Sequence, residues 1–341
     1  MLRCERLGSS RGERPAGSVN NQHASRDFYD RRDGEHVIWP NFFIVGAANS
    51  GTTSMYAVLR QHPQVFLPAL KEPHFFAQIQ PSYEQRYLRT LINDQGNYLK
   101  LFHHAGGFRA IGEASPSYLW SREAPKRIRQ KIPHAKIIVL LRDPVERAYS
   151  HYLMNVREGL EDLSLFEALQ RDWTAEKKGW SISHLYVELG LYADQVGRFI
   201  DTFGRDQVRI VMFDELTASM QNGKSVIAET CEFLGLDSIP VPRLNASVAE
   251  NGFGVARWEW ARRMAGSNLI RRAGQLAVPS SFGANHAIKR LVFQRYFVKA
   301  IPKPPIDQRA KEFLCSLYEP DVHCLEQLLG CKLARLRRSW Y

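Results

Sequence analysis

Residues 41–61 read NFFIVGAANSGTTSMYAVLRQ, and their spacing decides the fold. Phe42, Phe43, Ile44 and Val45 form an apolar run bounded by Asn41 and Gly46, the pattern of a strand buried on both faces of a parallel sheet. Gly46 and Gly51 bracket a tight turn, and from Thr52 onward Met55, Val58 and Leu59 recur at helical spacing. Pro63 ends that helix soon after Gln61, because the residue before a proline is pushed out of the helical region. A strand, glycine loop and helix in succession aim several backbone N–H groups at one point, where the helix N-terminus adds partial positive charge. The guest such a cradle favours is a phosphate or a sulfate. Hydroxyls at Ser50, Thr52, Thr53 and Ser54 strengthen that reading over a plain strand-to-helix turn. The spacing approaches the nucleoside-triphosphate loop GxxxxGK[ST], but Thr52 stands where that motif needs lysine.

The next segment, QVFLPALKEPHFFA over residues 64–77, holds a short apolar stretch at 65–67 and then turns irregular. Pro73 keeps the backbone extended, so Lys71, Glu72 and His74 are polar groups on a loop beside the anion site. A solvated Lys71–Glu72 pair is the plain alternative. Residues 83–101 have helical spacing, and IGEASPSYLW at 111–120 carries Glu113 just ahead of a Ser-Pro turn. A second strand, KIIVLL at 136–141, runs directly into RDPVERAYSHY at 142–152. Asp143 suits an N-cap, Pro144 the first helical position, and Glu146 completes a capping-box pattern. Arg142 therefore sits at the carboxyl end of a strand, where open α/β sheets place their ligands. A surface ion pair with Glu146 is its other reading. Ser150 lies two turns into the helix, roughly 9 Å along it, and helical side chains lean back toward the N-terminus. It can reach what Arg142 holds, or serve as an ordinary helix hydroxyl.

Further on, 193–203 has a helical apolar face closed by Gly204, 208–213 reads as a third buried strand, and 225–234 as a helix stopped by Gly235. Two more helices are expected at 307–318 and 320–329, separated at Pro320. Strands alternating with helices define an α/β fold, a parallel sheet wrapped by helices on both faces. No internal repeat or linker divides it.

With 341 residues the chain can bury a substantial core. Lys plus Arg outnumber Asp plus Glu by 46 to 35, and the resulting positive field suits an anionic substrate, nucleic acid or a lipid surface alike. Cys4, Cys231, Cys315, Cys324 and Cys331 are scattered without CxxC spacing. They read as reduced thiols of a cytoplasmic protein, with no zinc site. No run approaches the roughly 18 apolar residues of a membrane span. Residues 1–38 lack the apolar core of a secretory signal and read as a disordered basic and polar leader. Residues 255–300 carry nine basic residues against the single acid Glu259, interleaved with Trp258, Trp260, Phe293, Tyr296 and Phe297. That mixture is open to nucleic acid, to peripheral membrane contact, to a cleft wall, or to a basic surface over core aromatics.

Three stretches now stand in order: FFIVGAANSGTTSM at 42–55, KEPHFFA at 71–77 and IIVLLRDPVERAYSHY at 137–152. Together they resemble the sulfotransferases that use 3′-phosphoadenosine 5′-phosphosulfate (PAPS), and within them the bacterial and heparan-sulfate-type branch. The likeness continues through GEASPSYL, GLYADQ and YEPDVHCLEQLLG, so it covers roughly residues 40–341. It implies a P-loop-like single domain over 39–341. It also implies that Ser50, Gly51, Thr52, Thr53 and Ser54 hold the 5′-phosphosulfate, and that Arg142 and Ser150 hold the 3′-phosphate. Glu72 matches the general base acting on the acceptor hydroxyl, while His74 and Glu113 are expected to line the acceptor cleft. PAPS is the implied co-substrate, no metal is required, and no nucleic acid partner is expected. The acceptor would be a saccharide, a glycolipid or a small metabolite. One position departs: Asn49 occupies a site where the family carries Lys or Arg to neutralise the leaving 5′-phosphate, and Lys71 is the neighbouring cation that could stand in. A nucleotide-binding protein with weak or no catalysis is therefore the main alternative. A P-loop kinase is a lesser one, because the loop lysine is missing.

Overall fold

The computed structural model describes residues 29–32, 35–79, 90–180, 182–222, 226–237, 254–256, 298–300 and 303–341. The described residues open with β1 (Tyr29–Arg32) and β2 (Glu35–Ile38), which pair antiparallel. Residues 29–32 and 35–38, expected from the sequence to belong to the leader, form this strand pair, and Val37 and Ile38 pack onto the main core. Then come β3 (Phe42–Gly46), α1 (Thr52–Leu59), β4 (Val65–Phe66), α2 (Gln95–Lys100), β5 (Ala110–Ala114), α3 (Ser117–Trp120) and α4 (Ala124–Lys131). They are followed by β6 (Lys136–Leu141), α5 (Pro144–Arg157), α6 (Leu165–Thr174), α7 (Tyr192–Phe203), β7 (Val208–Met212), α8 (Phe213–Asn222) and α9 (Val226–Leu234). Short strands β8 (Gly254–Ala256) and β9 (Val298–Ala300) pair antiparallel, and α10 (Gln308–Leu329) is the long final helix. Most of the basic and aromatic 255–300 segment lies outside the described residues.

The central sheet runs β4-β5-β3-β6-β7 with every pair parallel. Phe42, Phe43, Ile44 and Val45 of β3 are fully buried, as the uninterrupted apolar run requires. Alternate side chains feed two cores. Phe43, Val45, Ile137 and Val139 face the α4, α5, α7 and α10 side, and Phe42, Ile44, Ile138 and Leu140 face α1, α8 and α9. Each large apolar side chain so buried contributes about 1.5–3 kcal/mol.

Three expectations change. In the 83–101 region residues 91–94 are irregular, and helix α2 starts only after Asp94, whose carboxylate accepts from Asn97 N; residues 80–89 lie outside the described set. The two expected terminal helices are one, running through Pro320. Proline removes a single backbone donor, while Leu314, Tyr318, Val322 and Leu325 bury a continuous stripe on both sides of it. Finally, Cys324 is disulfide-bonded whereas Cys231, Cys315 and Cys331 are free, so the reading of five reduced thiols and its support for a reducing compartment fall away.

Helix α10 also completes its neighbours. Helix α7 has no side-chain cap of its own, and Asp321 supplies one across sequence, accepting from Tyr192 N at 2.6 Å and Ala193 N at 3.2 Å. Beyond α10, Ser339 N (2.8 Å) and the Trp340 indole N–H (3.3 Å) donate to Asp143, the cap of α5.

Gly112 pairs with Phe42 across β5 and β3. A Cβ there would lie 2.1 Å from the fully buried Phe42 ring. Gly112→Ala is expected to destabilise the fold by about 1–3 kcal/mol, opposite in sign to the gain alanine ordinarily brings to a strand. Denaturant titration measures it, and Phe42→Leu in the Gly112→Ala background should recover part of the loss; a neutral or stabilising Gly112→Ala would refute the packing argument.

Candidate functional site

The loops leaving β3, β5 and β6 emerge at one edge of the sheet and are fastened to the strand ends. Ala47 N donates to Leu140 O at 2.7 Å, Ser115 N to Ile44 O at 3.2 Å and Glu72 N to Ala114 O at 3.0 Å. The glycine loop, the 71–77 loop and the turn after β6 therefore open on the same side, at the strand-order switch where β3 has β5 on one flank and β6 on the other.

The first N–H groups of α1 have no side-chain cap, and its first turn carries no acid. Gly51 precedes it at φ 89°, and a Cβ there would lie 2.9 Å from the Phe213 ring, so glycine is needed for both conformation and space. Ser50 is fully buried, and its hydroxyl lies beside the Tyr192 phenol without closing a well-formed hydrogen bond. Thr52 is buried, Thr53 exposed and Ser54 half-buried. A buried hydroxyl with spare capacity beside free helix-terminal donors fits an anionic group well. Arg142 follows β6 as expected. Its guanidinium donates to Asn49 O at 3.4 Å, lies 4.7 Å from the Phe213 ring centre and pairs with Glu146 at 3.3 Å. The ion pair with Glu146 is thus present, and it holds the cation over the loop. Lys303 joins Glu146 from the far end of the chain and covers the Tyr149 ring at 4.6 Å. Asp143 caps α5, but Glu146 is spent on these cations instead of closing a capping box. Ser150 is half-buried on α5.

The 71–77 loop is bent by residues in the left-handed region, Glu72 at φ 63° and His74 at φ 55°. Neither is glycine, and each such residue costs on the order of 1–3 kcal/mol unless its surroundings hold it. His74 is almost fully buried, its Nδ1 2.7 Å from Ser117 Oγ and its Nε2 3.8 Å from Glu72 Oε2. Desolvation drives its pKa down to about 4, so the ring is neutral and is not a free cleft residue. Glu72 keeps 35% of its side chain exposed and is ion-paired with Lys71. The Lys71–Glu72 pair, whose plain alternative was a solvated surface pair, is thus present and partly buried. Trp180 packs its ring 5.8 Å from His74.

Glu113 is corrected most. It was expected to line a cleft, but it is fully buried on β5. Its carboxylate accepts from Ser115 Oγ (2.6 Å), Tyr118 OH (2.6 Å) and Tyr98 OH (3.0 Å). Burial raises its pKa to about 7 against the pull of these donors, and the charge on Glu72 adds to the rise. Sequence reasoning missed Phe213, Tyr192, whose phenol donates to Arg142 O at 2.9 Å, and Lys303. Only Tyr192 carried a signal, within GLYADQ. Among the described residues no group of three or more His, Cys, Asp and Glu is placed to hold a metal, and no helix is long and apolar enough to cross a membrane.

The sulfotransferase family model matches residues 40–240, more than half of the chain, and the chain belongs to the sulfotransferase family. A solved sulfotransferase from Alicyclobacillus acidocaldarius is 31% identical with a TM-score of 0.64, over 89% of this chain and 100% of its own. Mouse carbohydrate sulfotransferase 15 is 29% identical over 250 residues, 58% of this chain and 44% of that protein. Mouse bifunctional heparan sulfate N-deacetylase/N-sulfotransferase 4 is 25% identical over 308 residues, 88% of this chain and 31% of that protein. The chain spans less than half the length of these curated relatives.

The two titratable groups behind Glu72 act in opposite pH directions. Glu113, raised to about 7 from 4.5, binds its proton more tightly folded than unfolded, so its contribution to stability is lost as pH rises toward 7. His74, lowered to about 4 from 6.5, loses its contribution as pH falls through that window. Relative to Glu113→Gln, the unsubstituted protein is expected to lose melting temperature between about pH 4.5 and about pH 7. Parallel melting curves for the two proteins across that range would contradict the raised pKa.

Proposed function

We propose that this chain transfers a sulfuryl group from PAPS to a hydroxyl of a saccharide, a glycolipid or a small metabolite, with Glu72 as the general base. The observation that carries the reading is the sheet edge itself, where an uncapped helix start, the buried Ser50 hydroxyl and Arg142 stand on the same side as the half-buried carboxylate of Glu72. The curated relatives named for carbohydrate and heparan sulfate substrates favour a saccharide acceptor.

In this scheme the loop N–H groups and Ser50 through Ser54 bind the 5′ end of the co-substrate, while Arg142 and Ser150 take its 3′-phosphate. Glu72 accepts the acceptor proton as the new O–S bond forms and the bond to the 5′-phosphate breaks, releasing 3′,5′-ADP. Charge then grows on the leaving phosphate, where preorganised donors act most strongly. Asn49 offers a hydrogen bond there but no charge. Lys71, the cation expected to stand in, is committed to Glu72, and the pair must part before Glu72 can take an acceptor proton. The second reading, nucleotide binding with little or no transfer, is favoured by Asn49 alone.

Calorimetry with 3′,5′-ADP and 5′-AMP tests the nucleotide half. The first should bind far more tightly, and Arg142→Ala should remove roughly 1.5–3 kcal/mol of that preference. Equal affinities would remove the sulfotransferase reading. Glu72→Gln tests the chemistry: transfer of labelled sulfate to a saccharide panel should slow by about 10²–10⁴-fold while 3′,5′-ADP affinity stays within about twofold. Near-normal turnover in Glu72→Gln would sink the base assignment.

A further inference from the structure

Two backbone N–H groups of the strained loop end on hydroxyls and not on carbonyls. His74 N donates to Ser115 Oγ at 3.0 Å, and Phe76 N donates to Tyr118 OH at 3.2 Å. A hydroxyl that accepts must send its own proton elsewhere. Both protons go to one group, since Ser115 Oγ donates to Glu113 Oε1 and Tyr118 OH to Glu113 Oε2, each at 2.6 Å. Once ionised, above about pH 7, the carboxylate accepts only, so there it fixes the polarity of both hydroxyls and turns their lone pairs toward the loop. The site is dry, with Glu113, Ser115 and Tyr118 all fully buried, so no solvent competes for those protons.

We infer that Glu113 is a positioning residue for Glu72: by orienting the Ser115 and Tyr118 hydroxyls as acceptors, it holds the 72–76 turn in the conformation that presents the Glu72 carboxylate. Glu113 touches neither the acceptor nor the nucleotide, and acts through Ser115, Tyr118 and the amides of residues 74 and 76. The inference rests on the reading of Glu72 as the base.

A glutamine at 113 has nearly the same shape, but its amide must donate to one of the two hydroxyls, which then turns a proton against a loop N–H. Glu113→Gln and Ser115→Ala, made in the full chain, break the arrangement at different points. Hydrogen exchange read by mass spectrometry should be at least about tenfold faster in peptides covering 72–77 in both variants, with peptides covering 47–54 unchanged. Where the unsubstituted protein transfers sulfate, kcat should fall about tenfold or more, with acceptor KM and 3′,5′-ADP affinity within about twofold. The double variant should be no worse than the poorer single, because both cut one chain of contacts. Unchanged exchange, exchange that rises equally at 47–54, an unchanged kcat, or additive losses in the double variant would each overturn the inference. The two readings fail separately. If the unsubstituted protein transfers no sulfate yet Glu113→Gln loosens only 72–77, the orienting role stands and the catalytic reading falls. If transfer is normal in both variants and their exchange is unaltered, Glu72 keeps its role and Glu113 loses this one.

Discussion

A strand at the carboxyl edge of a parallel sheet ends in carbonyls that its neighbours no longer take, and a buried carbonyl left without a donor costs about as much as a lost hydrogen bond. In this chain those carbonyls are where the site is tied down. Leu140 takes Ala47, Ile44 takes Ser115, Ala114 takes Glu72, and the carbonyl of Arg142 takes the Tyr192 phenol. Satisfying the strand ends and assembling the site are the same act. The anion loop, the carboxylate loop and the arginine turn each start from a backbone group that must be paired whatever the sequence of the loop.

The polar groups behind the edge follow the same logic one layer deeper. His74 is held neutral by burial, while Glu113, raised to about 7 by burial, sits at the margin of ionisation, both beneath the half-buried carboxylate of Glu72. Lys71 and Lys303 each meet a carboxylate, Glu72 and Glu146, and neither stands free. Among the described residues, Lys71 and Lys303 thus hold acids in place, and the backbone N–H groups of the glycine loop and the start of α1 remain open donors.

How much was legible in the sequence depends on how local the cause is. The strands β3 and β6 and the cap at Asp143 were plain, because burial on both faces and capping act over a few residues. The glycine loop was equally plain, because Gly51 is needed for a positive φ. Glu113 was misplaced for the opposite reason: its burial is set by Tyr98, Ser115 and Tyr118, of which only the latter two are near it in sequence. Pro320 was read as a break because a proline removes a local bond, whereas the stripe of buried residues that carries α10 through it is a tertiary fact. Asp321 capping α7 from 129 residues away has no local signature at all.

The fastening of Asp143 by residue 340 bears on how the chain is made. The turn that aims Arg142 is complete only when the indole of Trp340, 197 residues later, reaches it. At translation rates of roughly 5–20 residues per second, that partner leaves the ribosome on the order of 10–40 s after the turn does. The glycine loop and the central strands can form during this interval, but the arginine turn waits with a half-satisfied cap. A nascent chain should therefore acquire its sheet well before its arginine turn, and the segment around residues 339–340 is the one that closes that turn.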